Sequence, residues 1–282
     1  MLAVSIVARR RVTTGVTYAL LVLFAVYCLF PVAWMVSTAI KPTAQIRTDH
    51  PTFFTNAPTL VHFLTVLEHS QYLLYAKNSL IVSIFTTLIS LAISVFAAYA
   101  IVRLSKAPGV RHLGGLLLVS QATPPVLLVI PFFIIMSDLN LLNTYLSLII
   151  TYTALCVPVS TWFLRSYLIN IPDDIEEAAR IDGCSRLALL FRVVLPISLP
   201  SVVATGVYAF VLAWGNFTFG YTLVSTNSMR LVTPALSLFT GLWTVEWGLL
   251  MAAAVLNVIP VAILYTVVQK YIVGGLVAGA IK

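Results

Sequence analysis

The chain has 282 residues, of which 60% are hydrophobic and only 9% are charged, and its formal net charge at pH 7 is +7. Soluble domains usually carry about 25% charged residues, and the mean hydropathy here is +1.02, so the composition excludes a soluble enzyme or soluble binding domain. The basic residues flank apolar runs and do not form one aromatic-rich patch, which argues against nucleic acid as a partner. An integral membrane protein in a lipid bilayer is predicted.

The first predicted element is an apolar run over about residues 16–35, which follows the basic cluster at residues 9–11. A secretory signal would have a shorter apolar core and a small-residue cleavage site, so this run is predicted to be a retained span. The segment 41–77 carries leucine and phenylalanine at helical spacing after Thr59, which predicts a short amphipathic helix on the outer surface. That helix could bind an external partner or cap the ends of the spans, and the sequence leaves both open.

Five further apolar runs follow, and each is long enough to cross about 30 Å of hydrocarbon as a helix of about 20 residues. They predict an all-α membrane protein with six transmembrane helices in a single transmembrane domain, residues 1–282. The predicted spans cover about residues 16–35, 79–102, 113–136, 145–164, 202–224 and 248–268.

The basic residues also predict the orientation of these spans. If the N-terminus is cytoplasmic, the inner segments hold twelve of the 16 Lys and Arg residues, and the outer segments hold the other four, Lys41, Arg47, Lys77 and Arg230. Lys and Arg are enriched in short cytoplasmic loops. Both termini and the polar loop at about residues 170–200 are therefore predicted to be cytoplasmic.

That polar loop holds five of the nine acidic residues of the chain within ten positions. Ionised groups at this density cannot sit in lipid. A helix is predicted from about Asp174 to Asp182, because Pro172 suits a first turn and the early acids suit the positive end of the helix dipole. Asp173 and Glu176 have the spacing of a capping box with aspartate as the cap.

A second short helix is predicted after Gly183, which can take a positive φ and stop the first helix. Ser185 is the expected N-cap of the second helix, and Pro196 and Pro200 are expected to mark its end. Local physics leaves two readings of this pair of helices open: a solvated connection between spans, or a docking element for a partner.

The spacing in the loop resembles a family signature. Glu177-Ala178-Ala179, Gly183 and then Val193-x-Leu195-Pro196 match the pattern E-A-A-x3-G-x9-I-x-L-P, with valine in place of isoleucine. This pattern is similar to that of permease subunits of ATP-binding-cassette importers, whose loop forms a coupling helix that docks on the ATPase subunit. The resemblance implies a coupling role here for Glu176, Glu177, Ala178, Ala179, Asp182, Gly183, Leu195 and Pro196.

The fifth and sixth predicted spans contain polar residues that a solute could use. Asn216 lies among Tyr208, Trp214 and Thr218, and Asn257 lies in the sixth span. Amides, hydroxyls and aromatic faces suit a neutral, hydroxyl-rich sugar. If the fifth span is one helix, Tyr208, Asn216 and Thr218 border one sector. The four candidates for the solute path are Tyr208, Asn216, Thr218 and Asn257, although such amides also serve as packing between helices.

The C-terminal stretch, residues 269–282, resembles the ending of carbohydrate-importer permeases, with Val277 in place of a threonine. The likeness to the smaller permease subunit of the maltose importer and its sugar-uptake relatives runs from the first span to the end. It implies the type I importer fold in a bacterial or archaeal cell membrane. The implied partners are a second homologous permease, an ATPase dimer and an extracytoplasmic solute-binding protein.

The sequence contains no motif for nucleotide binding, metal binding or catalysis. There is no Gly-Lys pair and hence no phosphate-binding loop, so ATP and Mg are expected on a partner ATPase, and no cofactor, metal or enzymatic activity is expected here. Three scattered cysteines and four dispersed histidines lack metal-ligand spacing. The alternatives are an importer permease for a glycerophosphodiester or a polyol, a stand-alone secondary transporter, and an intramembrane enzyme.

Overall fold

The computed structural model describes residues 2–48, 50–105, 107–241 and 243–280. In those ranges the regular structure is helical, apart from an isolated antiparallel bridge between Thr240 and Val245. The α-helices are α1 (Leu2–Ala39), α2 (Thr43–Ile46), α3 (Val61–His69), α4 (Tyr72–Arg103), α5 (Val110–Ala122), α6 (Val129–Asp138), α7 (Tyr145–Leu168), α8 (Asp173–Ile181), α9 (Arg186–Leu189), α10 (Leu195–Ile197), α11 (Leu199–Gly215), α12 (Thr218–Leu223), α13 (Val232–Ala235) and α14 (Trp247–Ala280). A π-helix (Leu190–Val194) joins α9 to α10, and 3-10 helices cover Pro125–Leu128, Asn227–Met229 and Leu236–Phe239.

Within the described ranges, four helices are long and apolar enough to cross a membrane, and the number rises to six if each of two bent helix pairs is one span. The four are Thr13–Ala39 of α1, α4, α7 and Trp247–Lys270 of α14. The predicted all-α membrane class is confirmed. The exact span limits and the single transmembrane domain stay predictions.

Two bends depart from the expected straight helices. The first, of 96°, separates α5 from the helical stretch Pro125–Asp138. Pro124 and Pro125 lie at this bend, where proline lacks an N–H and disfavours helical geometry in the residue before it. The second, of 82°, falls at Ser198, between α10 and α11. The bend lies between Pro196, in the last turn before it, and Pro200, in the first turn of α11, so the two prolines mark the end of the second loop helix as predicted.

The fifth predicted span is also interrupted at its far end. Helix α11 stops at Gly215, Asn216 has extended backbone angles of −73° and 111°, and α12 begins at Thr218. The assumption of one continuous helix over residues 202–224 was therefore wrong. Tyr208 and Thr218 lie on different helices, so helical spacing along the sequence does not show whether their side chains face the same way.

The chain divides into two compact units, of which the first holds residues 1–70 and 238–256. Its amphipathic helix α3 follows Thr59, whose hydroxyl accepts a hydrogen bond from the Val61 N–H at 3.2 Å. Nε2 of His62 lies 2.9 Å from the Lys41 carbonyl oxygen, and His62 is buried. A Cβ at Gly248 would overlap the His62 ring, so the close approach of these two segments requires glycine.

The second unit holds residues 71–237 and 257–282. Helices α4, α7 and α11 pack against one another in it. The buried face of α4 is rich in small hydroxyl residues, namely Ser79, Ser83, Thr86, Ser90 and Ser94. Small side chains let membrane helices approach closely. A Cβ at Gly206 of α11 would come within 3.2 Å of Leu91 on α4, which shows how near the two helices lie.

Among the described residues of this second unit, two apolar clusters are buried. One is centred on Tyr152 and Phe219 and packs α7 against α12 and the 224–231 segment. The other packs the last turns of α4 and α7 against the π-helix, with Ala98, Leu168 and Leu190 buried. Helix α8 lies beside this second cluster, with Ala179 packed against it.

Candidate functional site

Helix α8 begins directly after Pro172, within one residue of the predicted start. Asp173, Asp174 and Glu176 occupy its first turn, where carboxylates are stabilised by the unpaired N–H groups of the helix start. The predicted capping box is wrong, because Pro172 and not Asp173 is the N-cap residue and no side chain caps the helix. Asp173 and Glu176 instead bind an arginine from another helix.

The end of α8 has the predicted glycine stop. Gly183 has a φ of +85°, the left-handed region that costs other residues about 1–2 kcal/mol. The Gly183 N–H donates to the Arg180 carbonyl at 3.0 Å, and the Cys184 N–H donates to the Ala179 carbonyl at 3.0 Å. This pair of bonds is a Schellman motif, and it satisfies two carbonyls that the helix end would leave free.

The second helix of the loop starts as predicted. Oγ of Ser185 accepts a hydrogen bond from the Ala188 N–H at 3.3 Å and caps α9. Helix α8 packs against α9 and the π-helix that follows it. Residues 173–197 therefore form one compact helical element with a defined start, turn and end.

One face of α8 is turned inward. The side chain of Glu176 is only 1% exposed, and its Oε1 lies 2.6 Å from Nε of Arg103, the last residue of α4. Asp173 Oδ1 lies 2.8 Å from Nη1 of the same arginine. The hydroxyl of Tyr99 donates to Glu176 Oε2 at 3.4 Å. A buried carboxylate needs such partners, because an unpaired charge away from water is very costly.

The opposite face of α8 is open. Glu177 and Ala178 are exposed, and the Ile181 side chain is 82% exposed. Leu187 of α9 is 61% exposed. Large apolar side chains left open to water on a segment predicted to lie outside the lipid mark a surface suited to a partner protein. We call Glu177, Ala178, Ile181 and Leu187 the open face of the loop.

The remaining predicted coupling residues lie on the same helical element, residues 173–197. Asp182 and Gly183 are exposed at the turn, and Ala179 is half-buried. In α10, Leu195 is half-buried and Pro196 is exposed. The fold thus brings the predicted coupling residues into one element. They differ in exposure, because the Glu176 side chain is buried whereas Glu177 is exposed.

The predicted solute-path residues do not share one helical sector. Asn216 Oδ1 accepts a hydrogen bond from the Phe219 N–H at 3.1 Å and so holds the first turn of α12. Asn257 Nδ2 donates to Thr233 Oγ1 at 3.3 Å. Tyr208 packs edge-on against Phe163, with the ring centroids 5.3 Å apart. Thr218 is exposed at the start of α12.

Sequence reasoning missed Arg103 as a site residue and included it only among the twelve basic residues of the predicted cytoplasmic segments. The available signal was a lone arginine at the end of an apolar run, with the acids of the loop as its possible partners. Nothing in the sequence said which acid would be buried. Among the residues described by the structure, no group of three or more His, Cys, Asp or Glu could hold a metal ion.

A comparison with known families decides the class of the protein. Residues 90–277 match the family "Binding-protein-dependent transport system inner membrane component". The chain belongs to this family. As a permease of an ATP-binding-cassette importer it is a multi-pass component of the inner membrane, and ATP hydrolysis belongs to a separate subunit. Membership excludes the stand-alone secondary transporter and the intramembrane enzyme.

Individual relatives are similar in sequence to nearly the whole length of this permease. It is 38% identical to the sulfoquinovosyl glycerol transport system permease protein SmoH of Agrobacterium fabrum, over 90% of this chain and 89% of that protein. It is 35% identical to the trehalose/maltose transport system permease protein MalG of Thermococcus litoralis, over 93% and 94% of the two chains. These matches confirm the predicted family of importer permeases.

A solved structure confirms the predicted fold. The permease superposes with a TM-score of 0.78 and 25% identity on a chain of a bacterial transporter that imports the acidic polysaccharide alginate. The match covers 93% of this permease and 96% of that chain. Of the C-terminal stretch that resembles sugar-importer permeases, the side chains of residues 271–282 lie outside the described part.

Proposed function

We propose that this permease passes a sugar or an oligosaccharide from an external solute-binding protein into the cytoplasm. The observation that carries the proposal is the nature of the solutes named for its relatives: sulfoquinovosyl glycerol, trehalose or maltose, and alginate. All three contain sugar rings. The six predicted spans hold no Lys, Arg, Asp or Glu, so they suit neutral hydroxyl-rich groups, and an ionised group on the solute would need its counter-charge from another subunit.

The proposed assembly has four further components. A second homologous permease completes the pathway, two ATPase subunits bind ATP and Mg on the cytoplasmic side, and a solute-binding protein delivers the solute outside. The distribution of twelve basic residues inside against four outside supports cytoplasmic termini and a cytoplasmic loop at residues 170–200. Closure of the ATPases on ATP would draw the two loops together and open the pathway outward by rigid-body motion.

The proposed contact with the ATPase is the open face of the loop. Its exposed isoleucine and leucine offer apolar anchors, and Ala178 permits close approach of a partner backbone. The Schellman turn at Gly183 and the Ser185 cap hold the two helices in a fixed relation. A rigid element is suited to transmit displacement, because little of the motion is lost in local rearrangement.

The proposed solute contacts are Tyr208, Asn216, Thr218 and Asn257. The structure adds one supporting feature, since Oδ1 of Asn257 is buried and has no hydrogen-bond partner among the described residues. An unpaired buried amide oxygen costs about 1–3 kcal/mol, and a sugar hydroxyl would satisfy it once movement of the surrounding helices exposes it. Thr218 is open to the surface, whereas Asn216 also serves the backbone of α12.

The decisive experiment is to purify the complex with its co-purifying subunits and to reconstitute it in vesicles. Sugars, polyols and glycerophosphodiesters are then presented on the binding protein, and ATP hydrolysis and uptake are measured. Stimulation by a sugar supports the proposal, whereas stimulation by a polyol or a glycerophosphodiester alone contradicts it. The isolated permease should neither bind nor hydrolyse ATP.

A further inference from the structure

We infer that Arg103 is the positioning residue that joins the loop to the membrane helices, so that displacement of α8 moves the ends of α4 and α7 with it. The inference rests on the proposed role of the loop as the ATPase contact. It assigns a specific mechanical task to a residue that lies outside the loop and outside its sequence signature.

A single guanidinium connects three parts of the chain. Arg103 is the last residue of α4, and its side chain is only 12% exposed. Its Nε and Nη1 bind the carboxylates of Glu176 at 2.6 Å and Asp173 at 2.8 Å, both on α8. Its Nη2 donates to the carbonyls of Ile171 at 2.8 Å and Leu168 at 3.4 Å, at and just after the end of α7.

The geometry of arginine suits this task. The guanidinium is planar and always charged, and its donors point in fixed directions, so four bonds from α4 to α8 and to the end of α7 fix an orientation as well as a distance. The apolar cluster beneath α8 also holds the helix, but apolar contacts are non-directional and allow sliding. The arginine therefore supplies the directional part of the attachment.

The two ion pairs of Arg103 differ in burial, and the buried pair with Glu176 makes the stronger link to α8. Glu176 is 1% exposed, whereas Asp173 is 83% exposed, so solvent weakens the Asp173 pair. Arg180 also approaches Glu176, at 3.6 Å, but its side chain is 58% exposed. Arg180 lies on α8 itself, and within the described part of the chain its ion pair is with Glu176 of the same helix. It is thus the matched control: the same residue type, the same carboxylate, but no bridging position.

The test compares Arg103→Lys with Arg180→Lys in the full reconstituted complex. Lysine keeps the positive charge but has one ammonium group, which cannot span both carboxylates and both carbonyls with fixed geometry. Three quantities are measured: co-purification of the ATPase, ATP hydrolysis stimulated by loaded binding protein, and solute taken up per ATP hydrolysed. We expect Arg103→Lys to assemble and to lower the uptake per ATP by about fivefold or more, and Arg180→Lys to leave it unchanged.

A second variant removes both buried charges. Arg103→Met combined with Glu176→Gln avoids a lone buried charge, and we expect it to assemble with the same loss of uptake per ATP. Wild-type uptake per ATP in Arg103→Lys and in the double variant would overturn the inference. Failure of both to assemble would overturn it as well, because the arginine would then serve folding and not transmission.

The inference and the proposed function fail in different ways. Reversing the charge on the open face with Glu177→Lys should weaken ATPase binding without touching Arg103. If Glu177→Lys and the turn variant Gly183→Val both retain full ATPase binding, the proposed docking role of the loop is wrong. If those variants lose ATPase binding but the Arg103 variants transport normally, only the inference about Arg103 is wrong.

Discussion

At the scale of single residues, neighbours in one motif have opposite environments. Glu176 and Glu177 are adjacent in sequence, yet the first is buried against Arg103 and the second is exposed. A helix turns about 100° per residue, so one of two adjacent acids can face the protein while the other faces a partner. Substitution of the two glutamates should therefore give different defects, in transmission for Glu176 and in docking for Glu177.

Gly183 has a backbone conformation that residues with a side chain rarely adopt. We predict that Gly183→Val destabilises the loop by about 1–2 kcal/mol, because valine strongly disfavours a φ of +85°, and that it lowers ATPase binding and uptake while the permease still inserts. Co-purification of the ATPase and vesicle uptake measure the effect.

Gly115→Val in α5 is the matched control for that variant. An added Cβ meets no atom within 4 Å at either glycine, and only Gly183 has a positive φ. We therefore expect Gly115→Val to bind the ATPase and transport like the wild type. Normal binding and uptake by Gly183→Val would contradict a role for this turn.

Asn216 combines a proposed solute contact with a hydrogen bond to the backbone of α12, and two variants separate these roles. Asn216→Ser keeps an oxygen that can accept from the Phe219 N–H, whereas Asn216→Ala does not. If the amide contacts solute, the serine variant should assemble normally and lose uptake affinity by several-fold to about tenfold, the worth of one hydrogen bond. Wild-type affinity and selectivity in the serine variant, with a defect only in the alanine variant, would make Asn216 a purely structural residue.

At the scale of elements, the break between α11 and α12 places a backbone turn within the fifth predicted span. The break between α11 and α12 is covered by Tyr152 of α7, whose hydroxyl lies 3.4 Å from the Asn216 carbonyl. Thr233 donates to the Trp214 carbonyl at 2.7 Å. Backbone groups that leave a helix inside a membrane need such partners, because lipid supplies none. The bend is therefore held by the elements packed around it.

Helix α12 is closely packed against its neighbours at Gly220. A Cβ at this position would lie 2.9 Å from Pro234 Cγ and 3.0 Å from Tyr152 Oη, so we predict that Gly220→Ala destabilises the permease by about 1–3 kcal/mol through overpacking. Thermal unfolding of the purified protein checks the shift. Gly215→Ala is the control, since a Cβ there meets no atom within 4 Å. Equal unfolding temperatures for the two variants would contradict this packing.

At the scale of the whole molecule, the chain exposes apolar side chains that water would not tolerate. Tyr18, Leu23 and Phe24 of α1 are each about two-thirds exposed, and they belong to a run with no charged residue from 16 to 35. Such a surface requires lipid or another subunit as its environment. The permease therefore reaches its working form only within a bilayer and its complex.

The orientation of that complex can be tested with the native cysteines. Cys184 is half-buried in the loop, Cys156 is buried, and Cys28 is exposed on α1. With Cys28 and Cys156 replaced by serine, we predict that a membrane-impermeant maleimide labels Cys184 only after the cytoplasmic side is opened. Ser225→Cys in a background without other cysteines should be labelled from outside. Labelling of Cys184 in intact cells would reverse the predicted orientation.

The sequence by itself determined the features that depend on local pattern. Hydrophobic runs predicted the membrane helices, the E-A-A spacing predicted the family, and Gly183 and Ser185 predicted the turn and cap of the loop, because each depends on residues only a few positions apart. The tertiary structure decided which groups meet over long separations. It paired Arg103 with Glu176 across 73 positions, broke the fifth span at Asn216, and assigned the amides of Asn216 and Asn257 to particular partners. Those outcomes depend on how α4, α7 and α11 pack, and packing between distant segments leaves no local pattern from which a partner can be chosen.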